Sequence, residues 1–461
     1  EVIVLGRTVG IGIQDFEDIV KNNCFYVDKT SFIKEWWEAG DSVTLITRPR
    51  RFGKTLNMSM LEQFFSVNYA GSKEVFEGLD IWKEEEYRNL QGTYPVISLS
   101  FANVKEMDFE TTSYRIRQLL MKLYEKNSFL KECEQLSKAE KNYFERMVSD
   151  MSEKDAPMAL YQLSDFLCRY YGKKVIILLD EYDTPMQEAY VNGYWSELVA
   201  FTRSLFNSTF KTNPSLERGI MTGITRVSKE SIFSDLNNLE VVTTTADKYA
   251  TAFGFTEDEV FAALSECGRA EEKEKVKWWY DGFTFGNHTD IYNPWSVLNF
   301  LDKGIYGTYW ANTSGNSLAG NLIRQSGRRV KETFERLLKG ESIRCPMDEQ
   351  IVYNQLDDSE AAIWSLLLAS GYLKVLGFDR LDLIEENEDQ MYELTLTNYE
   401  VKRMFHNMVK GWFRKAGSDY NDFVKECDIN GCLRNRYNNK NFTREKRTHP
   451  NRTCRGSWCE Q

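Results

Sequence analysis

The residues best suited to chemistry are three in succession, Gly53, Lys54 and Thr55. They follow a run of β-branched and aliphatic residues at 43–47 and a break at Pro49, and a helix-like apolar stretch comes after them. This order of strand, loop, Gly-Lys-Thr and helix is typical of a P-loop, whose backbone amides and helix N-terminus hold phosphates. In such a loop Lys54 would neutralise the charge of the β- and γ-phosphates, and Thr55 would ligate Mg²⁺.

One position of this loop departs from the general motif. In the pattern G-x-x-x-x-G-K-[ST], the first glycine falls on Arg48. An alternative therefore stays open at this point, in which the segment is a basic turn before a surface helix. On the phosphate-binding interpretation, the nucleotide-binding residues are Arg48, Pro49, Arg50, Arg51, Phe52, Gly53, Lys54 and Thr55.

A second group of candidate residues lies at the end of another buried strand. Residues 175–179 are five consecutive aliphatic side chains, which is typical of a central parallel strand covered on both faces. Asp180 and Glu181 follow directly, at the strand end where open α/β sheets place their ligands. We therefore expect Asp180 to hold the Mg²⁺ that Thr55 also ligates. Glu181 is then placed to orient or deprotonate the attacking water.

A third strand end supplies candidates for contact with the γ-phosphate. Residues 218–226 form a strand-like segment whose last part carries Thr222, Thr225 and Arg226. Arg226 is the candidate for stabilising charge that develops on the phosphoryl group during transfer. The alternative is a solvent-facing strand end with a salt-bridged arginine.

Polar residues upstream of the loop have two interpretations. Tyr26, Asp28 and Lys29 precede an amphipathic stretch at residues 32–37. On a functional interpretation they lie near the nucleotide base. On the alternative, the segment caps a helix and contributes aromatic side chains to the core.

The elements that position these residues alternate between strands and helices. Residues 94–101 form another strand, residues 105–170 have the pattern of a long helical insertion, and residues 194–212 form a helix. The sequence therefore predicts an α/β fold with a P-loop NTPase-like parallel sheet and a helical insertion. We assign this domain to residues 10–246.

Downstream of residue 246 the pattern becomes mostly helical. Residues 247–360 are expected to form a helical lid region, in which Thr256 and Glu259 predict a capping box at a helix start. Residues 361–425 have the order helix, strand, strand, helix, which resembles a winged-helix unit. The alternative is simple α+β packing against the lid.

Composition limits the remaining classes of function. A chain of 461 residues is expected to form two or three domains. The net charge of −11 argues against a surface devoted to DNA, although a local basic groove is compatible with it. Three histidines are too few for a His-rich zinc centre, and no apolar run has the length of a membrane span. Five scattered cysteines in the first 426 residues favour reduced thiols, so we expect a cytoplasmic protein without membrane contact.

The last segment, residues 426–461, differs in composition from the rest of the chain. It has many basic and asparagine residues but almost no aliphatic ones, which favours disorder. Two C-x₄-C pairs, Cys427 with Cys432 and Cys454 with Cys459, make a zinc site an alternative. Translation in a shifted reading frame is a further hypothesis. Sequencing the encoding DNA across this junction tests it, and an intact frame in independent isolates would contradict it.

Five segments together resemble the bacterial AAA-ATPase-like family. They are Gly12-Ile13-Gln14-Asp15-Phe16, Tyr26-Val27-Asp28-Lys29-Thr30, Arg48-Pro49-Arg50-Arg51-Phe52-Gly53-Lys54-Thr55, Leu179-Asp180-Glu181-Tyr182-Asp183 and Trp279-Tyr280-Asp281-Gly282-Phe283. The resemblance runs from about residue 10 to about 425, and the arginine at position 48 is usual for the family. Members commonly carry a C-terminal PD-(D/E)XK nuclease-like domain, whose place is taken here by the tail, so no nuclease residues are assigned.

The residues and the resemblance together imply a nucleotide-dependent function. We expect a Mg²⁺-dependent ATP-binding protein that is a slow ATPase and acts as a nucleotide-controlled switch; ATP rather than GTP is implied by the resemblance alone. Lys54, Glu181 and Arg226 are the expected catalytic residues, and Thr55 and Asp180 the expected Mg²⁺ ligands. The alternative is a module that binds nucleotide without hydrolysis and recognises nucleic acid or a protein partner through its C-terminal region.

Overall fold

The structure is a computed structural model. It describes residues 7–227, 232–233, 236–311, 316–347, 356, 359–380 and 389–416. The chain divides into a compact unit of residues 1–408 and a second unit of residues 409–461. The predictions made for the tail at 426–461, including the zinc alternative and the place of a nuclease-like domain, lie outside the described residues.

A five-stranded parallel sheet is the centre of the first unit. Its strands are β1 (Val43–Thr47), β2 (Val96–Ser100), β3 (Val175–Asp180), β4 (Leu216–Gly223) and β5 (Leu239–Val242). They are arranged in the order β2-β3-β4-β1-β5, and every neighbouring pair is parallel. Strands β1 and β3 are buried along their whole length, as expected for strands covered on both faces. The predicted parallel α/β sheet is confirmed.

Helices connect the parallel strands and cover the sheet. The first part of the chain has α1 (Phe16–Lys21), α2 (Ser31–Ala39), α3 (Lys54–Phe65) and α4 (Glu85–Leu90). The predicted helical insertion between β2 and β3 is confirmed as α5 (Phe109–Lys126), α6 (Lys138–Ser149) and α7 (Ala156–Tyr171). Between β3 and β4 lie α8 (Thr184–Asn192) and α9 (Trp195–Phe206), and α9 continues into a π-helical turn at Asn207–Lys211.

Strand β4 ends earlier than the sequence pattern indicates. It stops at Gly223, so Thr225 and Arg226 belong to the following loop. The physical reason is that the backbone amides of Ile224 and Thr225 donate to the Asp183 carboxylate instead of continuing the ladder.

The region after β5 is mostly helical and contains two small antiparallel sheets. The first sheet has the order β6-β8-β7, from β6 (Phe255–Thr256), β7 (Phe283–Phe285) and β8 (His288–Tyr292). The helices of this part of the chain are α10 (Glu257–Glu266), α11 (Lys273–Tyr280), α12 (Pro294–Lys303), α13 (Asn316–Gln325) and α14 (Arg328–Lys339). The predicted capping box of α10 is confirmed, because Thr256 and Glu259 bond each other's backbone amides.

The last described part contains β9 (Ile343–Pro346), α15 (Glu360–Ala369), β10 (Leu373–Phe378), β11 (Met391–Leu396) and α16 (Tyr399–Ala416). Its sheet has the order β10-β11-β9 and is antiparallel. The predicted order of helix, strand, strand and helix is present, with β9 as a third strand. The winged-helix likeness and the domain boundaries at 246 and 360 stay predictions. Within the part of the chain that the structure describes, no helix combines the length and apolar content that a bilayer crossing requires.

Candidate functional site

The loop between β1 and α3 is closed around the Lys54 side chain. The Lys54 ammonium donates to the backbone carbonyls of Arg48 and Pro49 at 3.1 Å each, and it lies 3.6 Å from Glu181 Oε1. Gly53 is at the helix N-cap with φ +85°, a left-handed conformation that a side chain would disfavour. The lysine is thus held beneath the loop, next to the acidic end of β3.

Asp180 joins three elements at the carboxyl edge of the sheet. Its Oδ2 accepts a hydrogen bond from Thr55 Oγ1 at 2.8 Å, and its Oδ1 accepts one from Thr222 Oγ1 at 2.5 Å. Burial and the neighbouring Glu181 charge raise the pKa of Asp180 above its ordinary value, although the two hydroxyls oppose this. The carboxylate, which β3 supplies, therefore lies between a hydroxyl from α3 and a hydroxyl from β4.

The oxygen atoms of Thr55 and Asp180 fit a magnesium ion. Mg²⁺ prefers hard oxygen ligands, and in nucleotide sites it is bound through one or two carboxylates together with phosphate oxygens and waters. Among the described residues there is no group of three or more His, Cys, Asp or Glu side chains that would hold a metal alone. A site built from this hydroxyl and this carboxylate would thus need the phosphates to complete it.

Glu181 occupies a constrained position directly after β3. Its backbone has φ +53°, which is unusual for a residue other than glycine, and such conformations are enriched at functional sites. Thr184 Oγ1 donates to its carboxylate at 3.2 Å. Burial acts to raise the pKa of Glu181, but the charges of Lys54 and Arg50 and the hydrogen bonds outweigh it, so the net pKa is lowered. The carboxylate is therefore ionised, as a proton acceptor must be.

The Arg48 side chain is directed into the protein interior. It is fully buried, and burial lowers the pKa of its guanidinium to about 9. The guanidinium donates to the backbone carbonyls of Thr47 (2.9 Å), Thr243 (2.7 Å), Lys248 (3.3 Å) and Tyr249 (3.4 Å). It also lies over the Phe285 ring, 4.5 Å from its centroid. Any contact of this residue with a phosphate would therefore come from its backbone.

We expect Arg48→Met to lower the midpoint of thermal unfolding by about 5 °C or more, since it leaves buried carbonyls without donors. Circular dichroism of the nucleotide-free chain measures the change. The matched control is Arg51→Met in the same loop, because the Arg51 side chain is exposed and stacks on Trp295, 4.3 Å from its ring centroid. Equal midpoints for the two variants would contradict the structural role of Arg48.

The other loop residues contact the region downstream of the sheet. Phe52 is buried and meets the rings of Phe283 and Phe285 edge to face, at centroid distances of 4.8 and 5.4 Å. Arg50 donates from Nη2 to Gln187 Oε1 at 3.2 Å. Pro49 is also buried, and a β-carbon at Gly371 would lie 2.9 Å from its Cβ. The loop therefore packs against segments that are distant from it in the chain, around residues 187, 283–285 and 371.

A chain of hydrogen bonds connects this loop to the start of α16. The Arg50 carbonyl accepts from Asn293 Nδ2 at 3.2 Å and from Trp310 Nε1 at 2.9 Å. The Trp310 amide in turn donates to Glu400 Oε1 at 2.7 Å, and Ser296 Oγ donates to Glu400 Oε2 at 2.7 Å. Burial raises the pKa of Glu400 to about 7. The phosphate loop and α16 are thus connected through Trp310, and also through Asn293, whose Oδ1 accepts from the Ser296 amide.

The three candidates on and after β4 have different surroundings. The Thr222 hydroxyl is bonded to Asp180, and the Thr225 hydroxyl donates to Asp183 Oδ2 at 2.8 Å. Arg226 is half-buried in the loop, three residues past the end of β4. The predicted contact of Arg226 with the γ-phosphate stays a prediction. Asp183 was not singled out from the sequence, although it ends the Leu-Asp-Glu-Tyr-Asp segment.

The polar residues upstream of the loop are engaged with the protein itself. Lys29 Nζ donates to both carboxylate oxygens of Glu259, at 2.6 and 2.7 Å, and to the Thr251 carbonyl at 2.8 Å. Asp28 accepts from the backbone amides of Thr30 and Asp80. These contacts fit the alternative in which the segment is structural.

The chain is similar to a known family over the region that forms this site. Residues 10–233 match the family model described as "Predicted AAA-ATPase". A relative from Azotobacter chroococcum mcd 1, described as an uncharacterized protein in the vnfD 5′ region, is 24% identical over 398 residues, which are 86% of this chain and 68% of that protein. The matched span contains Lys54, Thr55, Asp180, Glu181 and Arg226, and its family points to nucleotide binding. Residues 10–233 of this chain are therefore similar to the AAA-ATPase-like family.

Proposed function

We propose that this chain binds ATP with Mg²⁺ at the loop between β1 and α3 and hydrolyses it slowly. The observation that carries the proposal is the meeting of Lys54, Thr55, Asp180 and Glu181 at one edge of the sheet. Thr55 and Asp180 are 125 residues apart in the chain, yet their side chains are hydrogen-bonded. Each of these groups is of the type that phosphoryl transfer to water requires.

Each residue has a separate role in this proposal. The Lys54 ammonium would exchange its two carbonyl partners for phosphate oxygens, and Thr55 and Asp180 would hold Mg²⁺, which would supply charge neutralisation at the phosphates. The ionised Glu181 orients a water and accepts its proton. The water oxygen bonds to the γ-phosphorus, the bond to the bridging oxygen breaks, and ADP and inorganic phosphate leave. Arg226 stabilises the charge that develops on the phosphoryl oxygens.

We also propose that the nucleotide state controls the downstream region. Lys54 is bonded to the carbonyls of Arg48 and Pro49, so phosphate binding would release these carbonyls. The next carbonyl, that of Arg50, is bonded to Asn293 and Trp310. A rearrangement of the loop would thus reach Glu400 through Trp310. Such a contact network supports a switch because the two nucleotide states would favour different arrangements of it.

The test of hydrolysis is phosphate release from ATP by the full chain. We expect release with Mg²⁺, at a turnover below about 1 s⁻¹, and none after chelation of the metal. GTP in place of ATP tests base preference. Bound ATP without phosphate release would contradict the ATPase and favour the module that recognises nucleic acid or a protein partner. Absence of ATP binding would contradict both functions.

The switch is tested in the same preparation by amide hydrogen exchange. We expect peptides covering residues 293–311 to exchange at different rates with ADP and with a non-hydrolysable ATP analogue. Identical exchange in the two states would contradict the switch but not the hydrolysis.

A further inference from the structure

The two residues after Glu181 contact the loop that carries Arg226. Tyr182 is fully buried, and its hydroxyl donates to the Thr225 carbonyl at 2.8 Å and accepts from the Val227 amide at 3.0 Å. Its own amide donates to the Thr222 carbonyl at 3.0 Å. The tyrosine therefore holds the backbone on both sides of Arg226.

Asp183 binds the same loop from the other end. It is fully buried, and its Oδ2 accepts from the Ile224 amide at 3.0 Å and from the Thr225 amide and hydroxyl at 2.8 Å each. Gln187 Nε2 donates to the same oxygen at 3.3 Å, and Gln187 also accepts from Arg50. Asp183 is thus connected both to the loop after β4 and to the phosphate loop.

The close approach of these elements requires a glycine at position 223. A β-carbon there would lie 2.7 Å from Asp183 Oδ1 and 2.7 Å from Tyr182 Cε1, closer than non-bonded atoms allow. The carbonyl of Gly223 also accepts from the Arg48 amide at 3.1 Å. The start of the loop after β4 therefore packs closely between the end of β3 and the beginning of the phosphate loop.

We propose that Tyr182 and Asp183 are positioning residues that hold the Arg226 loop beside Glu181. The inference rests on the proposed hydrolysis of ATP. A charge-stabilising arginine is effective only if its place is fixed before the transition state forms, because reorganisation at that moment reduces the gain. Here Tyr182 and Asp183, which directly follow Glu181 in the chain, supply the contacts that fix the Arg226 loop. The water-activating carboxylate and the backbone that carries the arginine are thus held by one segment, residues 181–183.

The variant that tests this role is Tyr182→Phe, which removes both hydroxyl contacts and keeps the buried ring. We expect kcat for ATP hydrolysis to fall about tenfold while KM changes less than twofold, since the phosphate loop is untouched. Hydrogen exchange of a peptide covering residues 222–227 should be faster than in the unmodified chain. Arg226→Ala should lower kcat further, and the double variant should be no slower than Arg226→Ala alone, because Tyr182 acts through Arg226.

The matched control is Tyr124→Phe in the helical insertion. Tyr124 is also fully buried, and its hydroxyl donates to the Ala159 carbonyl at 2.8 Å. We expect this variant to keep the unmodified kcat. A second variant, Asp183→Asn, keeps the side-chain volume and should also lower kcat.

Three outcomes distinguish this inference from the proposed function. An unchanged kcat in both Tyr182→Phe and Asp183→Asn would overturn the positioning role and leave the ATPase intact. If the decreases in kcat of the two single variants added in the double variant, Tyr182 would not act through Arg226, and that part of the inference would be overturned. No phosphate release by the unmodified chain would overturn the proposed function, and the positioning role with it.

Discussion

Replacing Lys54 by alanine is expected to weaken ATP binding by about a hundredfold and to abolish measurable turnover. Each hydrogen bond between an ammonium and a phosphate oxygen contributes roughly 1.5–3 kcal/mol, so losing two of them corresponds to a factor of about 10² to 10⁴, of which the hundredfold loss is the lower end. Lys54 is nearly fully buried and pairs with loop carbonyls, so it is already positioned at the phosphate loop. Equilibrium titration with ATP in the presence of Mg²⁺ measures the affinity, and phosphate release measures turnover.

The matched control for this variant is Lys173→Ala. Lys173 is half-buried at the opposite, amino end of β3, where it donates to Thr93 and lies over the Tyr94 ring. We expect its replacement to leave ATP affinity unchanged. A cooperative thermal unfolding transition in each variant is the check that both are folded. Unchanged ATP affinity in a folded Lys54→Ala chain would rule out the loop as the phosphate site.

Glu181→Gln is expected to lower turnover by a factor of about 100 or more while ATP binding is kept. Glutamine can orient a water but cannot accept its proton, and general-base catalysis contributes roughly 10²–10⁴ in rate. Binding should be equal or tighter because a negative charge 3.6 Å from the Lys54 ammonium is removed. Single-turnover phosphate release with ATP bound separates the chemical step from binding.

The pH dependence of turnover gives a second measure of the same residue. The pKa of Glu181 lies below the ordinary value of a glutamate, so the carboxylate is protonated only in more acidic solution. We therefore expect no loss of turnover through Glu181 between neutral pH and about pH 5.

The matched control for Glu181→Gln is Glu197→Gln on α9, whose side chain is exposed. If Glu181→Gln retained the turnover of this control, Glu181 would not be the proton acceptor.

The elements that carry the site were predictable from short-range patterns. An aliphatic run before Gly-Lys-Thr, and another before Asp-Glu, has the burial pattern of central parallel strands, and β1 and β3 have this burial. The capping box at Thr256 and the helical insertion were predictable for the same reason. In each of these cases the signal is contained in residues that are close together in the chain.

Side-chain directions and distant contacts were not predictable in this way. Arginine is a residue type that commonly binds phosphate, yet the Arg48 guanidinium donates to the backbone carbonyls of residues 243, 248 and 249. Tyr182 and Asp183 contribute through partners about 40 residues downstream, and these partners fall in a loop that the sequence pattern assigned to a strand. The local pattern of apolar and polar residues does not indicate where such distant partners lie.

The sequence by itself determined that this chain has a parallel α/β sheet with a Gly-Lys-Thr loop and an Asp-Glu pair at two strand ends. Local hydrophobic patterning and turn residues set these features. Only the tertiary structure decided that β4 lies between β1 and β3, and that Asp180 therefore meets hydroxyls from two other elements. It also decided that the Arg50 carbonyl is bonded to Trp310. The physical reason is that strand order and long-range hydrogen bonds depend on how distant segments bury their surfaces together, which no single segment specifies.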